Sequence, residues 1–87
     1  MSKSHKLVDK LLSKPKDLAF EEAVTILEFF GYRMIKSGRT GGSRIRFVLD
    51  KAPRKKVFTM HKPHPQNILL PYQVKNIITE LKQEGFI

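Results

Sequence analysis

The chain has 87 residues, of which 40% are hydrophobic, so it is long enough for one compact core and too short for two. It has no cysteine, which excludes a disulfide framework and a cysteine-ligated zinc site. Its apolar runs are short, so we expect neither a membrane span nor a signal peptide, and we expect a cytoplasmic protein.

The formal net charge of +9 is concentrated in residues 33–62, which we call the basic window. The basic window holds ten Lys or Arg, including all the arginines, against the single acid Asp50, and the rest of the chain is neutral. Because the planar guanidinium group suits bidentate contact with phosphate, this pattern favours a nucleic-acid-binding surface. The alternative is a basic surface that serves only solubility.

Two helices are predicted before the basic window, each from apolar residues at helical spacing. The first covers residues 4–13 and ends before Pro15, and the second covers residues 20–30 and ends at Gly31. Their apolar positions are Leu7, Val8, Leu11 and Leu12, followed by Phe20, Ala23, Val24, Leu27 and Phe30. We therefore divide the chain into a leading helix and hinge, residues 1–18, and a main domain, residues 19–87.

Beyond Gly31 the apolar period changes from 3.6 to 2, which predicts strands at residues 32–37, 43–49 and 56–61. In the second strand Ile45 and Phe47 share one face, so Arg44 and Arg46 point away from the core. If the third strand turns its Met60 inwards, His61 stands on the arginine face.

A final helix is predicted to begin at Pro71 and to end at Gly85. Its apolar stripe consists of Val74, Ile77, Ile78 and Leu81. The predicted fold is therefore α+β: a helix, a three-stranded antiparallel sheet and a helix, with an extra short helix at the N-terminus. Two amphipathic helices can cover one face of such a sheet and leave the arginine face in water.

Residues 38–41, Gly-Arg-Thr-Gly, match the GXXG loop with which KH domains clamp nucleotides. A KH loop joins two helices, whereas this segment joins two predicted strands, so we favour a flexible hairpin tip. Arg39 and the exposed amides of this tip can still contact phosphate.

His61 and His64 lie three residues apart in a proline-rich segment. A metal site needs at least one more ligand, and only Asp50 lies nearby in sequence, so we expect no metal. Two readings remain open. The histidines can act as general acid and base beside phosphate-binding cations, or they can cap and pack a turn shaped by prolines.

Residues 22–86 resemble the HicA toxins. The resemblance rests on Gly31-Tyr32, on a basic hairpin with Gly42-Ser43, on Ile45-Arg46-Phe47 and on His61-Lys62-Pro63-His64-Pro65, followed by a closing helix. It implies a fold like the double-stranded RNA-binding domain (dsRBD), cleavage of mRNA, and a HicB-like antitoxin as partner. It implies no cofactor.

The chain departs from the common family pattern at one position. In that pattern the Gly-Ser pair is followed by the histidine thought to act in catalysis, whereas Gly42-Ser43 is followed by Arg44. Arginine stays protonated, so it can steady a phosphate but cannot act as a base. Either the chemistry has moved to His61 or His64, or this chain binds RNA without cutting it.

Our first hypothesis is a metal-independent endoribonuclease toxin with His61, His64 and Arg44 as catalytic candidates. The candidate RNA-binding residues are Arg33, Lys36, Arg39, Ser43, Arg44, Arg46 and Lys62. The alternatives are a non-catalytic RNA-binding module of the same fold, which reads the shape of the RNA, and a small ribosome-associated protein.

Overall fold

The computed structural model of the chain describes residues 3–36, 44–51, 54–63 and 67–87. Its elements in chain order are α1 (Lys3–Leu12), α2 (Phe20–Phe29), β1 (Tyr32–Lys36), β2 (Arg44–Lys51), β3 (Arg54–His61) and α3 (Pro71–Gln83). The strands form one antiparallel sheet in the order β1-β2-β3. The predicted α+β fold, including the extra N-terminal helix, is confirmed, and the arrangement is consistent with a dsRBD-like domain.

Side chains alternate between the two faces of the sheet, and one face belongs to the core. Phe47 is fully buried, and Ile45, Leu49 and Met60 are almost fully buried. They join one core with residues of all three described helices, including Leu11, Ile26, Leu27, Ile77 and Leu81. The opposite face carries Arg44, Arg46 and His61 in exposed positions, and we call it the outer face.

The leading helix α1 packs into this same core. Leu11 is fully buried, and so is Leu18 in the segment that follows α1. Lys10 of α1 pairs with Glu22 of α2 at 3.1 Å, and Glu22 also accepts a hydrogen bond from the backbone N–H of Ala19 at 3.0 Å. The Ala19 bond and Lys10 lower the pKa of Glu22 below its usual value. The proposed boundary after residue 18 is a division of the sequence. In the structure, the Lys10–Glu22 ion pair attaches α1 to the start of α2.

The chain entering α2 pairs with the chain entering α3. The N–H of Phe20 donates to the carbonyl of Asn67, and the N–H of Leu69 donates to the carbonyl of Leu18, both at 2.8 Å. Ala19 and Ile68 form an antiparallel bridge between these bonds. This short pairing fixes where the chain leads into α3 after the end of β3.

A polar network joins the C-terminal end of α3 to the sheet. The Tyr32 hydroxyl donates to Glu80 Oε2 at 2.7 Å, and Lys56 Nζ lies 3.6 Å from Glu80 Oε1 and 2.8 Å from Glu84 Oε2. Burial, and then the Glu80 carboxylate, raise the pKa of Tyr32 far above its usual range. Lys56 belongs to the basic window by its position in the sequence, but its ammonium group pairs with carboxylates at the C-terminal end of α3.

Two details differ from the expected strands. β2 extends to Lys51 and β3 begins at Arg54, so both strands are longer than predicted. Val48 shares the outer face with Arg46 but is only 7% exposed. It lies in the central strand between Arg33 and Val57, and side chains on neighbouring strands cover one another.

The glycines predicted to end α2 and α3 do have left-handed backbones, with φ of +102° at Gly31 and +79° at Gly85. A residue with a Cβ is strained in this conformation, so glycine suits both helix ends. Across the described residues, no helix combines the length and the apolar character needed to cross a membrane.

Replacing Tyr32 with Phe should destabilise the fold by about 1–3 kcal/mol, because it removes a buried hydrogen bond to a carboxylate. The loss should shrink as the pH rises above about 10, since the raised pKa of Tyr32 makes its contribution full below the ordinary value of 10.0 and weaker above it. Urea unfolding at several pH values measures both effects.

The matched control is Tyr72→Phe, because Tyr72 is 56% exposed and should lose almost nothing. Equal stabilities for Tyr32→Phe and the wild type would show that the network does not stabilise the fold.

Candidate nucleic-acid interface

Arg44 and His61 are directly opposite each other in the pairing of β2 with β3. Directly opposite residues of antiparallel strands have Cβ atoms about 4.5–5.5 Å apart and point to the same side of the sheet. Both side chains are exposed. The fold therefore brings a guanidinium and an imidazole together on the outer face, although Arg44 and His61 are seventeen positions apart in the sequence.

Further cations continue this surface across the sheet. Arg46 is two residues after Arg44 on β2, and it pairs with Ile35 of β1 and with Thr59 of β3. Arg33 pairs with Val48, so it is diagonal to Arg46, a separation of roughly 7–8 Å between strands. The three arginines are exposed and form an oblique row that ends beside His61.

Two other predicted residues have different surroundings. Lys62 is exposed, and its Nζ lies 5.8 Å from the centre of the Phe20 ring, a cation–π contact at the start of α2. Lys36 is the last residue of β1 and the register partner of Ile45, so its backbone position belongs to the row of Ile45 and not to the row of the arginines. Arg39, Ser43 and His64 lie outside the described residues.

His61 is held in place by α3. The buried Gln73 donates from Nε2 to the His61 carbonyl at 2.9 Å and accepts from the Leu70 N–H at 3.0 Å. This single side chain therefore caps the first turn of α3 and fixes the last residue of β3. Because both of its hydrogen bonds are half-buried, they fix the position of the His61 backbone relative to α3.

The arrangement suits an anion with several oxygens. Arginine donates from a rigid fork to phosphate oxygens, and imidazole exchanges a proton near neutral pH. Within the described ranges, His, Cys, Asp and Glu side chains do not gather in any group of three that could hold a metal ion. Guanidinium and imidazole groups are side chains of the kinds that can bind a phosphate and transfer a proton.

The sequence interpretation missed two contributors. Lys55 is exposed and pairs with Asp50 on the outer face, which strand alternation from His61 would have indicated. Gln73 was missed because its role depends on where α3 docks, and no local pattern reveals that.

Fold and site together define a small α+β domain with a cationic, histidine-bearing sheet face, an arrangement typical of nucleic-acid-binding proteins. The model of a known family, the HicA toxins of bacterial toxin–antitoxin systems, matches residues 20–85. This is about three quarters of the chain, and the chain belongs to that family. It is therefore a toxin whose partner is an antitoxin. No curated protein and no solved structure gives a significant match.

Proposed function

We propose that this toxin is a metal-independent endoribonuclease that cuts mRNA in the cytoplasm and is neutralised by a HicB-like antitoxin. The observation that carries the proposal is the direct pairing of Arg44 with His61 on the exposed face of the sheet. Membership of a toxin family supplies the biological setting, and the oblique row of arginines supplies a path for the phosphates of a strand.

In the proposed reaction, the His61 imidazole accepts the proton of a ribose 2′-hydroxyl, and the oxygen attacks the adjacent phosphorus. The bond from phosphorus to the 5′-oxygen breaks, and that oxygen leaves with a proton supplied by an acid. The products are a 2′,3′-cyclic phosphate and a free 5′-hydroxyl. His64, the second histidine of the segment, is the candidate acid.

Arg44 has a separate role in this mechanism. Negative charge builds up on the phosphate oxygens as the 2′-oxygen attacks, and a guanidinium fixed beside them stabilises that charge. Since Arg44 stands where the family pattern has its histidine, the base is displaced to the neighbouring strand. His61, which pairs directly with Arg44 across the two strands, is therefore the candidate base.

We further propose that the antitoxin covers the outer face. The centre of this face is apolar, with Val48 flanked by the half-exposed Val57 and, on the diagonal, by Ile35. The exposed cations Arg33, Arg46 and Lys55 lie around these side chains, together with the acid Asp50 opposite Lys55. An apolar centre with a charged rim is the usual organisation of a protein interface, and an acidic partner would complement the rim and block access to His61.

A second candidate function is an RNA-binding module that does not cut. The observation that favours it is Arg44 itself, because an arginine in place of the family histidine leaves this strand without a base. Both candidates bind RNA, and only the first cleaves it.

RNA binding should weaken with salt in proportion to the number of phosphates neutralised. Replacing both Arg44 and Arg46 with Ala should flatten the plot of log affinity against log salt by roughly 1.4, since each phosphate contact to a single strand contributes about 0.7 to the slope. Fluorescence anisotropy across a salt series measures the change. The control replaces Lys6 and Lys82, which are exposed on α1 and α3, and an unaltered slope in the arginine variant would contradict the assignment of the outer face.

Cleavage should depend on His61 and not on a metal. His61→Ala should reduce the cleavage rate by about a hundredfold to ten-thousandfold, the usual effect of losing an essential acid or base, and should leave RNA affinity nearly unchanged. The assay follows a fluorescent RNA with and without EDTA, and EDTA should not slow the wild type.

His5→Ala provides the matched histidine control, because His5 is exposed on α1 and its ring contacts Phe29. His64→Ala and the double variant complete the series. Full activity in every variant of His61 and His64 would refute the catalytic assignment, and a wild type that binds RNA without cutting it would select the second candidate.

A further inference from the structure

A cleft of about 190 Å³ lies beside His61, between β3 and the first half of α3. Residues 58–61 line it from the strand, and Tyr72, Gln73 and Asn76 line it from the helix. Because β3 is an edge strand in the described sheet, this cleft opens at the side of the sheet where β3 has no neighbouring strand. It adjoins the outer face at His61.

The lining of the cleft combines one exposed aromatic ring with side-chain amide and hydroxyl groups. Tyr72 is 56% exposed, so its side chain is open to contact with a ligand. Asn76 follows one helical turn later and is therefore its neighbour on the surface of α3. Thr59 is among the lining residues on the strand side. An aromatic face with hydrogen-bonding groups beside it is the combination with which proteins hold an unpaired nucleobase.

The size of the cleft also fits one planar ring system. Pockets for drug-sized molecules measure about 300–1,000 Å³, so a smaller cleft suits a single base rather than a whole nucleotide. The phosphates and riboses of the strand would stay outside, where the exposed cations lie.

The cleft is built on a fixed frame. The hydrogen bonds of Gln73 to the His61 carbonyl and to the Leu70 N–H set the separation between the end of β3 and the start of α3. Met60 and Gln73 are both buried, so the inner wall is packed. A site that is already formed need not rearrange when it binds a ligand, so no binding free energy is lost to reorganisation.

We propose that this cleft takes one unpaired base of a single-stranded RNA whose backbone crosses Arg44 and Arg46. Tyr72 provides the stacking surface, and the stacked base positions the neighbouring phosphodiester beside His61. This inference rests on the proposed function and adds a substrate class to it. A base in a duplex is paired and stacked between its neighbours, so it cannot enter, and single-stranded RNA is the expected substrate.

The test compares three short ligands by fluorescence anisotropy: a single-stranded RNA, the same strand with abasic riboses, and a duplex of equal length. All are 2′-O-methylated so that they cannot be cut. Wild type should bind the base-bearing strand more tightly than the abasic strand and the duplex. Tyr72→Ala should lower affinity for the base-bearing strand roughly 5- to 100-fold, as expected for the loss of one stacked base, and should leave affinity for the abasic strand unchanged.

Two variants serve as controls. Tyr72→Phe keeps the ring and should bind like the wild type. Phe29→Ala removes an exposed aromatic side chain at the end of α2 and should alter none of the three affinities. Circular dichroism of each variant checks that it is folded.

The outcomes separate the two proposals. If Tyr72→Ala binds all three ligands like the wild type while the Arg44 and Arg46 double variant binds them weakly, the base-binding cleft is refuted and the RNA-binding face stands. A wild type that prefers the duplex also refutes the cleft. If the wild type binds none of the three, both proposals fall.

Discussion

The pairing of β2 with β3 decides which side chains of this toxin face the helices and which face solvent. A slip by one residue would turn Ile45 and Phe47 outwards and bury Arg44 and Arg46. The packing of Phe47 against the core, with Phe58 on the neighbouring strand at 6.3 Å between ring centres, opposes such a slip. The same register places Arg44 opposite His61, so the hydrophobic core and the candidate site are set by one pairing.

Helix α3 packs against the core face of the sheet and is held at both ends. Near its C-terminal end the Tyr32–Glu80 hydrogen bond and the ion pairs of Lys56 fix it to the sheet. At its N-terminal end Gln73 bonds to His61. A buried carboxylate left without its partners is costly, so these polar contacts specify one docking position of the helix. That position brings Tyr72 to the edge of the sheet beside the candidate catalytic residue.

Much of this could be predicted from the sequence, because alternation and helical spacing are local. Alternation in the second strand put Arg44 and Arg46 on the solvent side, and alternation in the third strand put His61 on the same face. The direct pairing of His61 with Arg44 depends on the strand register, which was not predicted. The destination of Lys56 could not be predicted, since its partners Glu80 and Glu84 come from the far end of the chain. The cleft at Tyr72 was missed for the same reason, because it exists only once α3 has docked. The burial of Val48 likewise depends on both neighbouring strands.

We propose that this toxin binds RNA on its outer face, where Arg44 lies beside His61. An NMR titration of the labelled protein with a cleavage-resistant 2′-O-methyl single strand tests it most directly, since amide shifts map contact residue by residue. We expect the shift changes to be concentrated at Arg44, Arg46 and His61 and to extend to the start of α3. Changes confined to α1 and to the C-terminal end of α2, with the β2 and β3 amides unmoved, would contradict it.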